Sequence, residues 1–243
     1  MKKGMAARTY RIVATSAISL LVIGVVNYLA LPTRVEQVEF LEGVSNQPTE
    51  VKPVTNSSYI IGASSFWASS HELTVAISVQ DASVSQDTLR MSQNFLSGEK
   101  RAQNDDPVAS KWQELLLTSN APTLRLGANN GNADIQVILS NQPEPTGKVG
   151  KTILHIVKGQ NKIVSAEVHV FAADNALRQG ILSQVLAHEL GHALGLSHST
   201  DPDSIMYPTL EVNDGSIIND IGTCEQHGLS MLYKDSKVGV IGC

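Results

Sequence analysis

Three histidines and one glutamate have the residue types and the spacing of a metal site. The motif H-E-L-G-H occupies residues 188–192, and a further histidine, His198, follows six residues later. On a helix, residues four apart lie on one face, so the imidazoles of His188 and His192 can bind the same ion. Gly195 lies where this helix can end, because glycine adopts positive φ at little cost. A turn there would bring His198 back as a third ligand and leave a fourth position for water.

This donor set predicts the hydrolysis of an amide bond. Three neutral imidazoles hold Zn²⁺ without cancelling its charge, which lowers the pKa of a bound water to about 7. Glu189 could take the proton of that water as it attacks a carbonyl and pass it to the leaving amine. A short H-E-x-x-H match also arises by chance, and its histidines are then packed or solvated side chains. The third histidine and the glycine at the required spacing favour the metal site.

A helix leading into the motif must position the first two ligands. Asp174 or Asn175 can cap such a helix. Apolar residues and the two histidines recur at three- and four-residue steps along it: Leu177, Ile181, Val185, His188 and His192. The ligands therefore continue the inward-facing stripe of one predicted helix.

A methionine follows the third histidine after the short polar loop 199–203, within the run S-I-M-Y-P at residues 204–208. The pattern H-E-x-x-H-x-x-G-x-x-H followed by such a methionine turn resembles the metzincin clan of zinc endopeptidases. The resemblance implies that Met206 forms an apolar floor beneath the metal. It also implies that Tyr207 and Pro208 set the wall of the pocket for the side chain after the scissile bond. Without the motif, Met206 would be an ordinary core methionine.

Within that clan, residues 175–210 are most similar to the matrixins. Ser199, directly after His198, is the residue type of that family, and the strings L-G-L and M-Y-P match as well. The resemblance implies an α+β fold with a twisted, mixed five-stranded sheet, a zinc-binding helix and a small C-terminal subdomain ending in a helix near residues 218–233. It further implies that the strand beside the cleft, residues 151–157, binds extended substrate at the sheet edge.

Patterns upstream of the motif agree with that order of elements. Alternating apolar residues predict strands over residues 71–79, 134–139, 153–157 and 163–171. Residues 159–162 would join the last two strands as a hairpin. A helical stretch in two pieces is predicted over residues 83–118.

Two features of animal matrixins have no counterpart in the sequence, which is more typical of microbial members. No cysteine precedes Cys224, so latency through a propeptide thiol is excluded. Segment 141–150 contains neither His nor Asp, so a second, structural zinc would keep only His155 and His169, and we expect these to be surface or packed side chains. The polar run 129–134 could offer oxygens to calcium, although turns use the same residues.

The N-terminal region predicts the compartment. Residues 12–31 carry no charge and follow four basic residues, which suits a cleaved signal peptide or a single membrane-spanning anchor. The length of the run, and the lack of a small-residue cleavage site near Tyr28, favour the anchor. Positive residues stay cytoplasmic, so the rest of the chain should face outward. Residues 32–58 would form a flexible tether or a short propeptide lying in the cleft, and residues 59–243 the catalytic domain.

Charge and cysteine content narrow the partners. The formal net charge is −5 over 243 residues, and the part after residue 31 carries 14 basic against 23 acidic residues. This balance argues against nucleic acid as a partner. Outside the cytoplasm Cys224 and Cys243 would pair, which stabilises the fold by about 3 kcal/mol in the chain-entropy model. Two free thiols are the alternative. We expect a monomer.

Two classes of function remain. The first is an extracytoplasmic zinc endopeptidase in which His188, His192 and His198 bind the metal and Glu189 is the base. The second is a zinc-stabilised binding or adhesion protein that holds peptides without cutting them. Glu189 favours the enzyme, because a binding module needs no general base beside an open metal position. A narrower alternative is a peptidase that acts on short peptides or cell-wall cross-links.

Overall fold

The computed structural model describes residues 35–45, 59–67, 72–98, 106–127, 132–213, 216–217 and 219–243, which form twelve strands and five helices. The strands are β1 (Val35–Ser45), β2 (Ile60–Ala63), β3 (Phe66–Trp67), β4 (Glu72–Val79), β5 (Thr123–Leu126), β6 (Ile135–Leu139), β7 (Lys148–Val157), β8 (Lys162–Val170), β9 (Leu196–Ser199), β10 (Thr209–Asn213), β11 (Ser216–Ile217) and β12 (Gly239–Gly242). The helices are α1 (Gln86–Ser97), α2 (Pro107–Thr118), α3 (Ala173–Arg178), α4 (Leu182–Ala193) and α5 (Thr223–Tyr233).

The predicted apolar run at residues 12–31 lies outside the described residues. Among the helices of the described part, none is long and apolar enough to cross a membrane.

One mixed sheet contains nine of the described strands. Its order is β11, β10, β1, β7, β8, β6, β4 and β5, and β3 pairs with β8. β5, β4, β6 and β8 run parallel, while β7 is antiparallel to β8 through the predicted hairpin, where Gly159 has φ +74°. These five strands confirm the mixed sheet predicted from the sequence. β1, β3, β10 and β11 extend it.

A second, smaller sheet has the order β12, β2, β9 and packs against α5. Together with α5 it forms the C-terminal subdomain expected from the resemblance. Cys224 in α5 and Cys243 after β12 are joined by a disulfide, which ties the last strand to this helix. The subdomain matters for the site because β9 carries His198.

Helix α4 lies in the core between the main sheet and the other helices. It packs across β7 and β8, and α1, α2 and α3 pack against it. Eleven of its twelve residues are buried. A helix buried on all sides is fixed by tertiary packing rather than by helix propensity. The motif residues on α4 are therefore held rigidly.

The prediction of one continuous helix before the motif was wrong. Residues 179–181 separate α3 from α4, and Gly180 has φ +70°, which interrupts the helical path. Neither Asp174 nor Asn175 caps α3, whose N-cap is Ala172 without a side-chain hydrogen bond. The two helices bury their apolar residues in the same core, so the spacing of these residues stays regular across the break. This regular spacing predicted one helix where there are two.

Asp174 instead fastens the start of α3 to α1. Its carboxylate accepts hydrogen bonds from the backbone N–H and hydroxyl of Ser85, both at 3.0 Å, from the Thr88 hydroxyl at 2.5 Å and from the Asn141 side-chain amide at 3.0 Å. Burial opposes ionisation, but these hydrogen bonds outweigh it and lower the pKa of Asp174 to about 2. The ionised carboxylate is therefore the form that the folded chain prefers.

We expect Asp174→Asn to destabilise the fold in a pH-dependent way. The folded-state pKa is depressed from 3.8 to about 2. Because solvent screens this partly buried carboxylate, the charge contributes roughly 1 kcal/mol that is present above about pH 4 and lost as the pH falls toward 2. Urea denaturation should show that difference in free energy of unfolding at pH 7 and a shrinking difference at lower pH. Asp87→Asn is the control, because Asp87 is exposed on α1. If the difference in free energy of unfolding between wild type and Asp174→Asn did not change with pH, the role of the charge would be contradicted.

Candidate metal centre

The three predicted metal ligands meet beside the main sheet. His188 and His192 lie one turn apart on α4 and are buried, and His198 on β9 is partly exposed. Ring centroids are 4.8 Å apart for His188 and His192, 4.9 Å for His192 and His198, and 5.7 Å for His188 and His198. One ligand atom of each residue lies within 4.8 Å of the others. Within the described part of the chain, this is the group of three ligand residues with such geometry.

Hydrogen bonds determine which nitrogen of each buried histidine carries a proton. Nδ1 of His188 lies 2.5 Å from the Ile205 carbonyl oxygen, and Nδ1 of His192 lies 2.8 Å from the Leu196 carbonyl oxygen. A carbonyl only accepts, so both Nδ1 atoms donate and both Nε2 atoms present lone pairs. The two Nε2 atoms are 3.1 Å apart. Two lone pairs at that distance repel unless they share a cation, so the residues fit a metal ion held through Nε2.

The turn after α4 brings His198 to the other two ligands. Gly195 has φ +95°, and a Cβ at this position would lie 1.7 Å from the Ser65 carbonyl oxygen. The indole N–H of Trp67 donates to the Ala193 carbonyl, and the Tyr233 hydroxyl donates to the Leu194 carbonyl, both at 2.9 Å. Burial raises the pKa of Tyr233, which keeps its hydroxyl a donor. These contacts satisfy the carbonyls at the helix end and hold the turn.

Glu189 lies against β7, and two residues of that strand shape its position. The Thr152 hydroxyl is 2.5 Å from Oε2 of Glu189 and 3.0 Å from its backbone carbonyl. A Cβ at Gly150 would lie 1.9 Å from Oε1 of Glu189, so only glycine leaves room for the carboxylate there. Sequence reasoning missed both residues. Their signal is the alternation of β7, in which Gly150 and Thr152 occupy buried positions in line with the apolar Leu154.

We expect Thr152→Val to lower kcat/KM for peptide hydrolysis at least about tenfold. A hydrogen bond to a charged group contributes roughly 1.5 to 3 kcal/mol, and valine removes the hydroxyl while it keeps the side-chain volume. Thr152→Ser keeps the donor and should restore most of the loss. Steady-state kinetics at equal zinc content provide the measurement. Equal losses in both variants would mean that Thr152 contributes packing and not the hydrogen bond.

The methionine turn packs under α4. Met206 is fully buried, and a Cβ at Gly191 would lie 2.3 Å from its sulfur, so the glycine between the two helical ligands gives the thioether its place. Tyr207 and Pro208 follow directly and lead into β10. Met206 therefore lies against α4, and Tyr207 and Pro208 lie directly before β10. Their roles as apolar floor and pocket wall, which the resemblance implies, remain predictions.

Glu225 supports this turn, and sequence reasoning did not single it out. The Ser204 hydroxyl donates to Oε1 of Glu225 and accepts from the Met206 backbone N–H at 3.0 Å. Oε2 of Glu225 accepts from the Gly222 N–H at 2.7 Å. Glu225 is completely buried. A buried carboxylate thus links α5 to the turn beneath the ligands.

His155 and His169 lie outside the triad, on β7 and β8. Their Nε2 atoms are 3.3 Å and 3.4 Å from the two carboxylate oxygens of Glu167, and about a fifth of each histidine side chain is exposed. For calcium, residues 128–131 lie outside the described residues, while the Asp134 carboxylate accepts two 2.7 Å hydrogen bonds from Thr74. Calcium at the run 129–134 stays a prediction.

Strand β1 lies beside β7 and contacts the ligands. The Phe40 ring stacks on the His192 ring with centroids 4.1 Å apart and planes 10° apart, and it meets His198 edge-on at 6.3 Å. Residues 35–45 belong to the segment predicted as a tether or propeptide, and in the structure they form a sheet strand rather than a loose tether. The domain boundaries drawn from the sequence stay predictions.

Comparison with known proteins gives one consistent family. The family model described as Matrixin matches residues 116–234. Human matrix metalloproteinase-20 is 35% identical over 132 residues, which is 50% of this chain and 26% of that protein. Metalloendoproteinase 2-MMP of Arabidopsis thaliana is 34% identical over 89 residues, 37% of this chain and 21% of that protein. Interstitial collagenase of Oryctolagus cuniculus is 31% identical over 125 residues, 48% of this chain and 26% of that protein.

The matched part of the chain thus spans only about a fifth to a quarter of these relatives. Residues 116–234, which the family model matches, nevertheless include the whole histidine triad, Glu189 and the methionine turn. The matched family and the geometry of the triad together support a matrixin-like metzincin over residues 116–234.

Proposed function

We propose that this chain is an extracytoplasmic zinc-dependent endopeptidase. The observation that carries the proposal is the buried carboxylate of Glu189, which precedes the triad's His192 on the same helix and is aligned by the Thr152 hydroxyl. Burying a carboxylate costs several kcal/mol. A site that only bound zinc and peptide would not need this group, whereas hydrolysis needs a base there.

Each residue then has a distinct part in the reaction. His188, His192 and His198 would hold Zn²⁺, which when bound supplies a Lewis acid for the attacking water and the peptide carbonyl. Glu189 accepts one proton from the water as its oxygen attacks the carbonyl carbon. As the C–N bond breaks, Glu189 returns the proton to the leaving nitrogen, so the products are a carboxylic acid and an amine. Proton exchange between them at neutral pH gives a carboxylate and an ammonium group. Thr152 keeps the Glu189 carboxylate in a fixed position against β7.

Peptide or protein substrates are the expected partners, bound extended along β7. Tyr207, Pro208 and the following β10 would line the pocket for the residue after the scissile bond. We expect an apolar preference there, since the methionine turn beside it is buried among apolar side chains.

The N-terminal sequence supports an extracytoplasmic location. The uncharged residues 12–31 behind four basic residues would act as a single-pass anchor, or as a signal peptide if they are cleaved. The Cys224–Cys243 disulfide agrees with an oxidising compartment.

The proposal is tested by measuring hydrolysis of a quenched peptide library by the zinc-loaded full chain. Glu189→Gln, which removes the base, and Phe40→Ala, which removes the ring stacked on His192, are measured in parallel. The zinc content of each chain is determined. Cleavage of internal bonds by the wild-type or Phe40→Ala chain, and loss in Glu189→Gln at equal zinc, is the expected result. Zinc-loaded chains that bind library peptides and cut none would instead favour the binding or adhesion protein. Cleavage confined to terminal residues would contradict the endopeptidase.

A further inference from the structure

Strand β1 is held on both edges. On one side it pairs antiparallel with β7 along nearly its whole length, from Val35 opposite Val157 to Glu42 opposite Gly150. On the other side its last residues, 43–45, pair parallel with residues 209–211 of β10, directly after the methionine turn. β1 therefore fills the slot between the two strands that flank the ligands. Without β1, both strands would present unpaired backbone groups, which is how a sheet edge accepts an extended peptide.

The register of β1 on β7 pairs it with the strand residues that lie against the proposed base, Glu189. Phe40 is opposite Thr152, and Glu42 is opposite Gly150. The Thr152 hydroxyl donates to the Glu189 carboxylate, and Gly150 lies directly against it. The segment 40–42 thus crosses the strand positions at which a peptide bond would have to lie for Glu189 to serve it.

Phe40 adds a second obstruction at the ligands themselves. Its ring covers the face of His192 at 4.1 Å and presents to His198 at 6.3 Å. A substrate carbonyl that reached the metal held by these histidines would need part of this space. The segment resembles bound substrate in its backbone pairing and differs from it in placing an aromatic ring against a ligand.

We propose that Val35–Ser45 is an inhibitory strand that occupies the peptide groove of this chain, with Phe40 as its plug. This inference rests on the proposed function of the same site. It requires no thiol, consistent with the lack of a cysteine before Cys224. Because the strand belongs to the same chain, its effective concentration is of the order of millimolar, and a substrate must compete with it.

Little side-chain burial holds the first part of β1, residues 35–40, in place. Among residues 35–40, only Val38 and Phe40 are partly buried, while Val35, Gln37 and Glu39 are exposed. An ion pair of 3.1 Å joins Glu39 to Lys151, but half of the Glu39 side chain is in solvent, so it adds little. Among residues 35–40, Val38 and Phe40 therefore add apolar packing to the backbone pairing that holds β1. Removal of the larger of the two, Phe40, should loosen the strand.

The test compares three full-length chains: wild type, Phe40→Ala and Gln37→Ala. Gln37→Ala is the matched control, because it alters the exposed face of the same strand. Hydrogen exchange reports the protection of backbone amides in β1, and binding of a fluorescent peptide with the sequence of residues 35–45 reports access to the groove. Neither readout depends on catalysis. Hydrolysis of a quenched peptide at equal zinc content is the third readout.

We expect Phe40→Ala to lower protection in β1 at least about tenfold, to bind the peptide at least tenfold more tightly than wild type, and to raise kcat/KM by a similar factor. Gln37→Ala should match wild type in all three readouts. Unprotected β1 amides in the wild type would overturn the inference. The inference would also fail if wild type and Phe40→Ala both hydrolysed the peptide and did so at equal rates after β1 has opened. Rapid self-cleavage of the wild type within residues 35–45 would overturn it as well.

Failure of the proposed function gives a different pattern. Phe40→Ala would then open β1 and bind the peptide, yet none of the zinc-loaded chains would cut any library member. That result would keep β1 as the occupant of a peptide groove and remove the endopeptidase.

Discussion

Replacing Glu189 with glutamine is expected to lower kcat/KM for peptide hydrolysis by about 10³-fold, the range in which a positioned general base contributes. Glutamine keeps the size of the side chain and can still face Thr152, but it cannot accept the proton of water. The three histidines are unchanged, so the zinc content measured by elemental mass spectrometry should equal that of wild type. The variant therefore separates the base from the metal site.

Glu167→Gln provides the matched control. It makes the same chemical change on β8, beside His155 and His169 and away from the triad. We expect this variant to keep wild-type kcat/KM. If Glu189→Gln retained more than a tenth of wild-type activity at full zinc content, Glu189 would not be the base.

Gly195→Ala should strongly destabilise the turn after α4. The backbone at φ +95° disfavours any side chain, and the new Cβ would lie 1.7 Å from the Ser65 carbonyl oxygen, a backbone atom that cannot rotate away. Strain and overpacking together should lower the free energy of unfolding by about 3 kcal/mol or more. Zinc affinity should fall as well, because the turn carries His198. Urea denaturation and competition with a chelator measure the two effects.

Gly180→Ala separates strain from crowding. Gly180 also has positive φ, at +70°, but no atom lies within 4 Å of its added Cβ. It should cost only about 1 kcal/mol. Equal destabilisation by the two alanines would mean that the close approach to Ser65 contributes nothing.

The clustering of the three histidines was predictable because they lie within one short stretch of sequence. His188, His192 and Gly195 follow from helix periodicity and from one turn, and both are local properties. Four strands of the main sheet, β4, β6, β7 and β8, were predictable for the same reason, since alternation is visible over five to nine residues. The break at Gly180 was missed because a shared core gives two helices one apolar pattern.

Residues that act through long-range pairing could not be found in this way. Thr152 and Gly150 are 37 and 39 positions before Glu189 in sequence, and only the packing of α4 on β7 brings them together. Phe40 is more distant still. Phe40 belongs to residues 32–58, which have the composition of a linker. Composition does not show which strand edge in the fold is available for pairing. Glu225 was overlooked because an acidic residue near a helix start is usually a solvated one.

The three ligands belong to two different parts of the fold, since His188 and His192 come from the central helix and His198 from the three-stranded sheet. Any ion held by all three is consequently a cross-link between those parts. The same small sheet has a second cross-link at its other edge, where Cys243 directly follows β12. Loss of the ion would release one edge strand of this sheet, β9, and reduction of the disulfide would release the other, β12. Metal retention and thiol oxidation therefore stabilise the same structural unit.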